Sequence, residues 1–360
     1  MRVHLVDPAA YTPPYDRALA AALARAGAEV ELWTTGFPHG DVPQAPGVRV
    51  REAFYRWAPG RGRRAARLAQ HVPDMLRYAR AARAADVVHF QWLPVQALDA
   101  RLLPRVRPRL LTAHDVLPRE PRPGQLAGQR ALYEHMDAVI VHSEHGAARL
   151  RDELGLDPAL IHVIPHGAFT ALTEVEPTLP RELSPAEGPL VLFLGLIRPY
   201  KGVDVLVDAW RRADRPPAAR LWIVGMPRMD VSALHGPDVQ TAFRFVSGEE
   251  LAGAFRAADL IVLPYREIDQ SGVLFTALAF GKPLLLTAVG GFPEIAAAGA
   301  AAVVPPDDPD ALAAAMTSLL ADDERRARMA AAARAAAAGP YGWDAIARRT
   351  LALYASLRHS

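Results

Sequence analysis

Short apolar runs, separated by longer stretches of helical period, recur along the whole chain. Val3 to Val6, Val30 to Trp33, Val87 to Phe90, Leu110 to Thr112, Ala138 to Val141 and Ile161 to Pro165 read as strands, most of them of the type buried on both faces. Between the first two, Arg17 to Ala26 is an Ala/Leu helix that Gly27 can terminate. The alternation resumes with LVLFLG from Leu190, LWIVG (221–225), FRFV (243–246), LIVLP (260–264) and PLLLT (283–287). Helices are predicted from Asp204, around Glu249 to Ala257 and from Val273. Such alternation predicts doubly wound parallel sheets. Thr173 to Pro189 is polar and proline-rich, as linkers are. The expected organisation is a Rossmann-like domain over 1–172, a linker over 173–189 and a second such domain over 190–339. A closing segment over 340–360 contains a helix from Trp343 to Leu357.

The stretch from Leu190 to Trp210 carries the strongest chemistry. Its strand ends at Gly195, a turn presents Arg198, Tyr200, Lys201 and Gly202, and Asp204 opens an apolar helix. Strand, cationic turn and helix together offer positive charge and free N–H groups at a sheet's carboxyl edge, where phosphate binds. Among 41 basic residues only Lys201 and Lys282 are lysines. Where arginine is written almost everywhere, a retained lysine points to a need for a compact charge.

Composition narrows the remaining classes. At 360 residues and 51% apolar, the chain is long enough for two domains. A net charge of +2 does not suggest nucleic acid. Absence of cysteine excludes disulfides, thiolate metal sites and cysteine nucleophiles. MRVHLVDP passes directly into a strand rather than a signal peptide, and no apolar run reaches the roughly 18 residues of a membrane span. The expectation is a cytoplasmic protein, with peripheral contact at the inner membrane face left open. Between Arg49 and Arg83, ten arginines stand against Glu52 and Asp74. That region reads either as a solvated helical face or as a surface for anionic lipid or a pyrophosphate-linked acceptor.

Polar residues following the first-domain strands are further candidates: Gln91–Trp92, His114–Asp115 and His142 to His145, with the loop Pro8 to Asp16 either lining a cleft or shaping a chain reversal. No G-x-S-x-G elbow surrounds Ser143, so no hydrolase triad is expected. Nor does G-x-G-x-x-G follow the first strand. In the second domain, Glu267, Asp269, Gln270, Ser271 and Gly272 precede an apolar helix, making a second anion site. Gly290–Gly291 allows a close approach of backbone to ligand. Asp308–Pro309–Asp310 imitates a metal motif, but it reads as an N-cap followed by a first-turn proline.

GLIRPYKGVDVLVDAW, VIPHG, LPYREIDQSGVLFTALAFGKP, TAVGGFPEI and YGWDAIARRTLALY together resemble the retaining family-4 glycosyltransferases of the GT-B fold. The resemblance implies two Rossmann-like domains facing across a cleft, the second binding a nucleotide-sugar and the first most of the acceptor. It also implies a final helix that returns to the first domain. By this resemblance Lys201 matches the diphosphate-binding lysine. Arg198 stands two residues after Leu196, the position where the family has its arginine. His114 matches the acceptor-side histidine, and His166–Gly167 stands where Asn–Gly is common. Gly290, Gly291 and Glu294 match the element near the nucleotide. The family's paired glutamates fall on Ile268 and Thr276, with Asp269 one residue after the first.

The site implied thus has His114, Arg198, Lys201 and Asp269 as catalytic residues. The donor would meet Gly195, Glu267, Gln270, Ser271, Gly272, Thr276, His166, Gly290, Gly291 and Glu294. The acceptor side would comprise Tyr15, Asp16, Gln91, Trp92 and Asp115. The implied reaction is retaining, metal-independent transfer from a UDP- or GDP-sugar to a hydroxyl of a saccharide, lipid-linked or small-molecule acceptor. No cofactor beyond the nucleotide-sugar is implied. A sugar-nucleotide 2-epimerase of the same fold and a non-catalytic nucleotide-sugar-binding subunit are the alternatives.

Overall fold

The computed structural model describes residues 1–37, 42, 44–57, 64–118 and 121–358. They divide into two compact units, Met1–Gly167 with Trp343–Ser360, and Ala168–Gly342. The first is built on a seven-stranded parallel sheet. Its strands are β1 (Arg2–Asp7), β2 (Glu29–Thr34), β3 (Val48–Glu52), β4 (Val87–Phe90), β5 (Arg109–Thr112), β6 (Ala138–Val141) and β7 (Ile161–Val163). They lie in the order β3-β2-β1-β4-β5-β6-β7. The central strands β4, β5 and β6 are buried at every position, which is why they lack polar alternation.

The first helix, Pro13–Arg25, starts inside the loop expected to run to Asp16, because Pro13 and Pro14 sit in its first turn, where a missing N–H costs nothing. The closing helix Trp343–Arg358 belongs to this unit. Its buried Tyr354 hydroxyl lies 2.6 Å from His89 Nδ1 on β4.

The second unit is a six-stranded parallel sheet. Its strands are β8 (Leu190–Leu194), β9 (Arg220–Val224), β10 (Val239–Ala242), β11 (Leu260–Leu263), β12 (Leu284–Thr287) and β13 (Ala301–Val304). Their order is β10-β9-β8-β11-β12-β13. FRFV (243–246) is not a strand. The four residues before it pair with Leu221–Val224, while Arg244 bonds Glu182 and Glu250 and Phe245 is 65% exposed. Residues 173–189, read as a linker, lie within this unit. Thr178 N–H donates to Glu249 O, Ser184 N–H to the Gln240 side chain, and Leu183 is buried. Asp308 caps the helix Pro309–Leu320 by accepting the Ala311 N–H at 2.9 Å.

Candidate functional site

Each sheet gathers polar side chains beyond the carboxyl ends of its strands. In the second unit, β8 ends in Gly195, at φ +136°, and a 3-10 turn carries Lys201 into the helix Val203–Arg212. Lys201 is only 8% exposed. Its Nζ donates to the Tyr265 hydroxyl at 2.9 Å and sits 4.6 Å from that ring's centroid. Among the described residues, no carboxylate pairs with it. A Cβ on Gly195 would come within 3.1 Å of Nζ, so the glycine leaves the ammonium its space.

The Tyr265 hydroxyl is 3.4 Å from Ser271 Oγ at the N-terminus of the helix Gly272–Ala279. Ser271 does not cap that helix, so its first N–H groups are donors for a ligand. A buried ammonium with no described carboxylate partner, beside an uncapped helix start, is suited to hold an anion.

Arg266 holds this turn in shape. It donates to both oxygens of Asp204 at 2.9 and 2.7 Å, to Asp307 at 2.6 Å and to Pro199 O at 2.5 Å. The Arg266 hydrogen bond keeps the Asp204 carboxyl below its ordinary pKa. Arg266→Ala is expected to weaken anion binding at this turn by about 10- to 100-fold, because Lys201 rides on the clamped segment. Calorimetric titration with pyrophosphate would show it, and an unchanged affinity would contradict the clamp.

The remaining second-unit candidates divide by position. Gly290 takes φ +54°, where a Cβ would lie 1.8 Å from Ile268 O, so Gly290 packs its backbone directly on that of Ile268. Asp269 is buried and Gln270 half-buried. Thr276 spends its hydroxyl on Gly272 O at 2.9 Å within its own helix. Arg198, Glu267 and Glu294 are exposed, whereas Gly291 is buried.

In the first unit the centre is Tyr15. His114, His142, His166 and Trp343 surround its ring at centroid distances of 4.6, 5.4, 4.8 and 5.1 Å. Gly167 is bare because the Trp343 indole lies where its Cβ would stand, 2.5 Å away. The hydrogen bonds fix the tautomers. His142 Nδ1–H must donate to Ile164 O at 3.0 Å, so its Nε2 accepts from His114 Nδ1–H at 3.3 Å. His114 Nε2 is then an acceptor, and the Gln91 amide at 3.3 Å must turn its NH₂ toward it. In the orientation as placed, Gln91 Nε2 is buried without a partner, which the turn removes. Burial pushes the pKa of all three histidines down, that of His142 to about 4, so each is neutral near pH 7.

Asp16 is not part of that ring. It is buried against Asp7, and burial with the neighbouring carboxyl raises its pKa well above the ordinary value. Asp7 in turn accepts the N–H groups of Ala9 and Tyr11 at 3.0 and 2.5 Å. Trp92 and Asp115 are joined through Tyr11. Tyr11 stacks on Trp92 at 3.8 Å and donates its hydroxyl to Asp115 at 2.5 Å. Ser143 caps the helix Glu144–Asp152 by accepting the Gly146 N–H at 3.1 Å, an assignment that accounts for it structurally. Tyr265, Tyr11 and Arg266 were missed by sequence reasoning. Tyr265 and Arg266 stand directly after the β11 run, a position that could have drawn attention to them.

Residues 17–171 match the family model described as Glycosyltransferase Family 4, and residues 188–322 the one described as Glycosyl transferases group 1. The chain is 30% identical over 227 residues to a GDP-mannose:glycolipid 4-beta-D-mannosyltransferase of Xanthomonas campestris pv. campestris. That match covers 56% of this chain and 60% of that protein's length. It is 31% identical over 319 residues to a D-inositol 3-phosphate glycosyltransferase of Xylanimonas cellulosilytica, covering 77% and 75%. Among solved structures, sucrose-phosphate synthase from Thermosynechococcus elongatus superposes with TM-score 0.76 at 23% identity, covering 99% of each chain. Anabaena Alr3699/HepE in complex with UDP and glucose does so with 0.74 at 19%, covering 99% and 100%. With two parallel α/β units, both family models and these relatives, the chain belongs to the family-4 glycosyltransferases of the GT-B fold.

Proposed function

We propose that the protein transfers a sugar from a UDP- or GDP-sugar to a hydroxyl of a saccharide or lipid-linked acceptor, with retention at the anomeric carbon. The observation that carries this is the buried Lys201 ammonium, held by Tyr265 and unpaired with any described carboxylate. The chemical barrier lies in the charge that develops on the departing diphosphate. Lys201 and the first N–H groups of the helix Gly272–Ala279 would meet that charge, with Arg198 adding a cation from the surface. Protein groups then supply what a metal supplies elsewhere, and activity should survive EDTA.

On the acceptor side, neutral His114 would orient the incoming hydroxyl by exchanging the Gln91 amide at its Nε2 for that hydroxyl, while a leaving phosphate oxygen takes the hydroxyl proton. Asp269 would hold sugar hydroxyls. Because the Thr276 hydroxyl donates its proton to Gly272 O, it would meet a ribose hydroxyl only as an acceptor, a weaker contact than the family's second glutamate makes.

Thermal-shift titration with UDP, GDP and ADP, then with their sugars, tests the donor. A rise in melting temperature with one nucleotide series identifies it, and no shift with any nucleotide contradicts the reading. NMR of the products then decides the chemistry. An epimerised nucleotide-sugar formed without acceptor would mark an epimerase instead. The relative named for a β-mannosyl product makes inversion the contrary stereochemical outcome.

A further inference from the structure

The helix Arg64–Ala81 buries His71, Met75 and Tyr78 on one side. Adjoining that face, it carries Leu68 and Leu76, 52% and 47% exposed, with half-buried Val72 between them at a spacing of four. Leu76 opens into a groove of about 480 Å³ that is also lined by Leu102, Val106, Arg80, Arg83, Arg101 and Arg105. All four arginines are exposed, and among the described residues none is ion-paired. Among the described residues, no carboxylate lines the groove.

Several other arginines of the unit are engaged by a carboxylate or a ring. Arg49 and Arg51 meet Glu31, Arg77 meets Asp74, Arg107 meets Asp137, and Arg67 lies over the Tyr55 ring at 4.4 Å. Arg83 precedes β4 and Arg105 precedes β5, whereas Gln91 and His114 follow the carboxyl ends of those strands. The groove therefore sits at the opposite edge of the sheet from the histidine ring, and substrate binding there does not account for it.

We propose that this face docks the protein onto an anionic lipid leaflet, with Leu68 and Leu76 entering the acyl boundary and the four guanidiniums holding lipid phosphates. A soluble polyanion would satisfy the arginines but leave the leucine stripe in water. A leaflet covers both.

Co-sedimentation of the full chain with phosphatidylcholine vesicles, and with mixed phosphatidylcholine–phosphatidylglycerol vesicles, tests it. The protein should bind the mixed vesicles alone, and more weakly as salt rises. Arg80→Glu with Arg101→Glu should weaken binding by roughly 30-fold or more, at about fivefold per arginine lost. Arg83→Gln with Arg105→Gln is the milder pair should the first fold poorly. Leu68→Ser with Leu76→Ser should also release the protein. Arg325→Glu with Arg328→Glu makes the same charge change on the helix Asp323–Ala338 and should bind as the parent does. Every variant should keep the parent's donor affinity in solution, which separates this surface from the sugar site. The proposal is overturned if the mixed vesicles do not bind the parent, if the groove pairs bind normally, or if the remote pair is lost equally. It also fails if the serine pair binds undiminished, since soluble phosphate chemistry alone would then explain the arginines.

Discussion

Replacing Lys201 by methionine should cut turnover by roughly 10²- to 10³-fold while the melting temperature stays level or rises. The two halves of that expectation come from one observation. A buried ammonium that hydrogen-bonds a single tyrosine hydroxyl, with no described carboxylate paired to it, has surrendered hydration without full compensation. In the free protein it costs stability, and methionine refills its stem without the charge. In the proposed reaction the same ammonium would face a diphosphate gaining negative charge, where one preorganised donor is typically worth about 3–4 kcal/mol.

Lys201→Arg should fail as well, because the planar guanidinium needs more room than Gly195 and Tyr265 leave around Nζ. Gly195→Ala provides the contrast. It places a methyl 3.1 Å from Nζ at φ +136°, so it should lose both activity and stability. Donor turnover and thermal melts on the same preparations measure both quantities. A fully active methionine variant, or one that melts several degrees lower, would mean that the lysine serves the fold rather than the donor.

Much of this was legible from residues alone, and the reasons differ by element. β8 and the turn to Lys201 could be read because a strand buried on both faces has no polar alternation, and because lysine is so rare in this chain. The strand at Val239–Ala242 was placed four residues late, since VQTA is less apolar than FRFV. What fixes it is the parallel register with Leu221–Val224, which no local pattern encodes. Asp16 read as an acceptor-side polar residue because its neighbour in space, Asp7, is nine positions away across a loop. The Lys201–Tyr265 bond joins two segments 64 residues apart, so only the order β8 beside β11 brings them together. In the Arg-rich stretch the sequence counted charges. The structure sorts the described ones into those that meet carboxylates, such as Arg49, Arg51 and Arg77, and those that do not, of which Arg80 and Arg83 line the groove.

The histidine ring makes acid the strongest lever on stability. His89, His114, His142 and His166 all have their pKa lowered chiefly by burial, His89 to about 3 and His142 to about 4. In the unfolded chain each would titrate near 6.5. As pH falls below that value the unfolded chain takes up protons that the native one refuses, so stability is present above 6.5 and is lost toward the native pKa values. Asp7 and Asp16 act in the opposite sense. Burial raises their pKa, so the native state keeps a proton that the unfolded chain gives up above about 3.8. Their contribution grows as pH falls through the same window. Four histidines against roughly one shared carboxyl proton leave a net slope on the order of 4 kcal/mol per pH unit. A protein of ordinary stability would then unfold between about pH 4 and 5.5. Urea midpoints at neutral pH and one to two units lower measure it, and His114→Gln with His166→Gln should cut the difference to roughly a third. A midpoint that does not move with pH would show that these rings accept protons in place, and the neutral chain from Gln91 to Ile164 would fall with it.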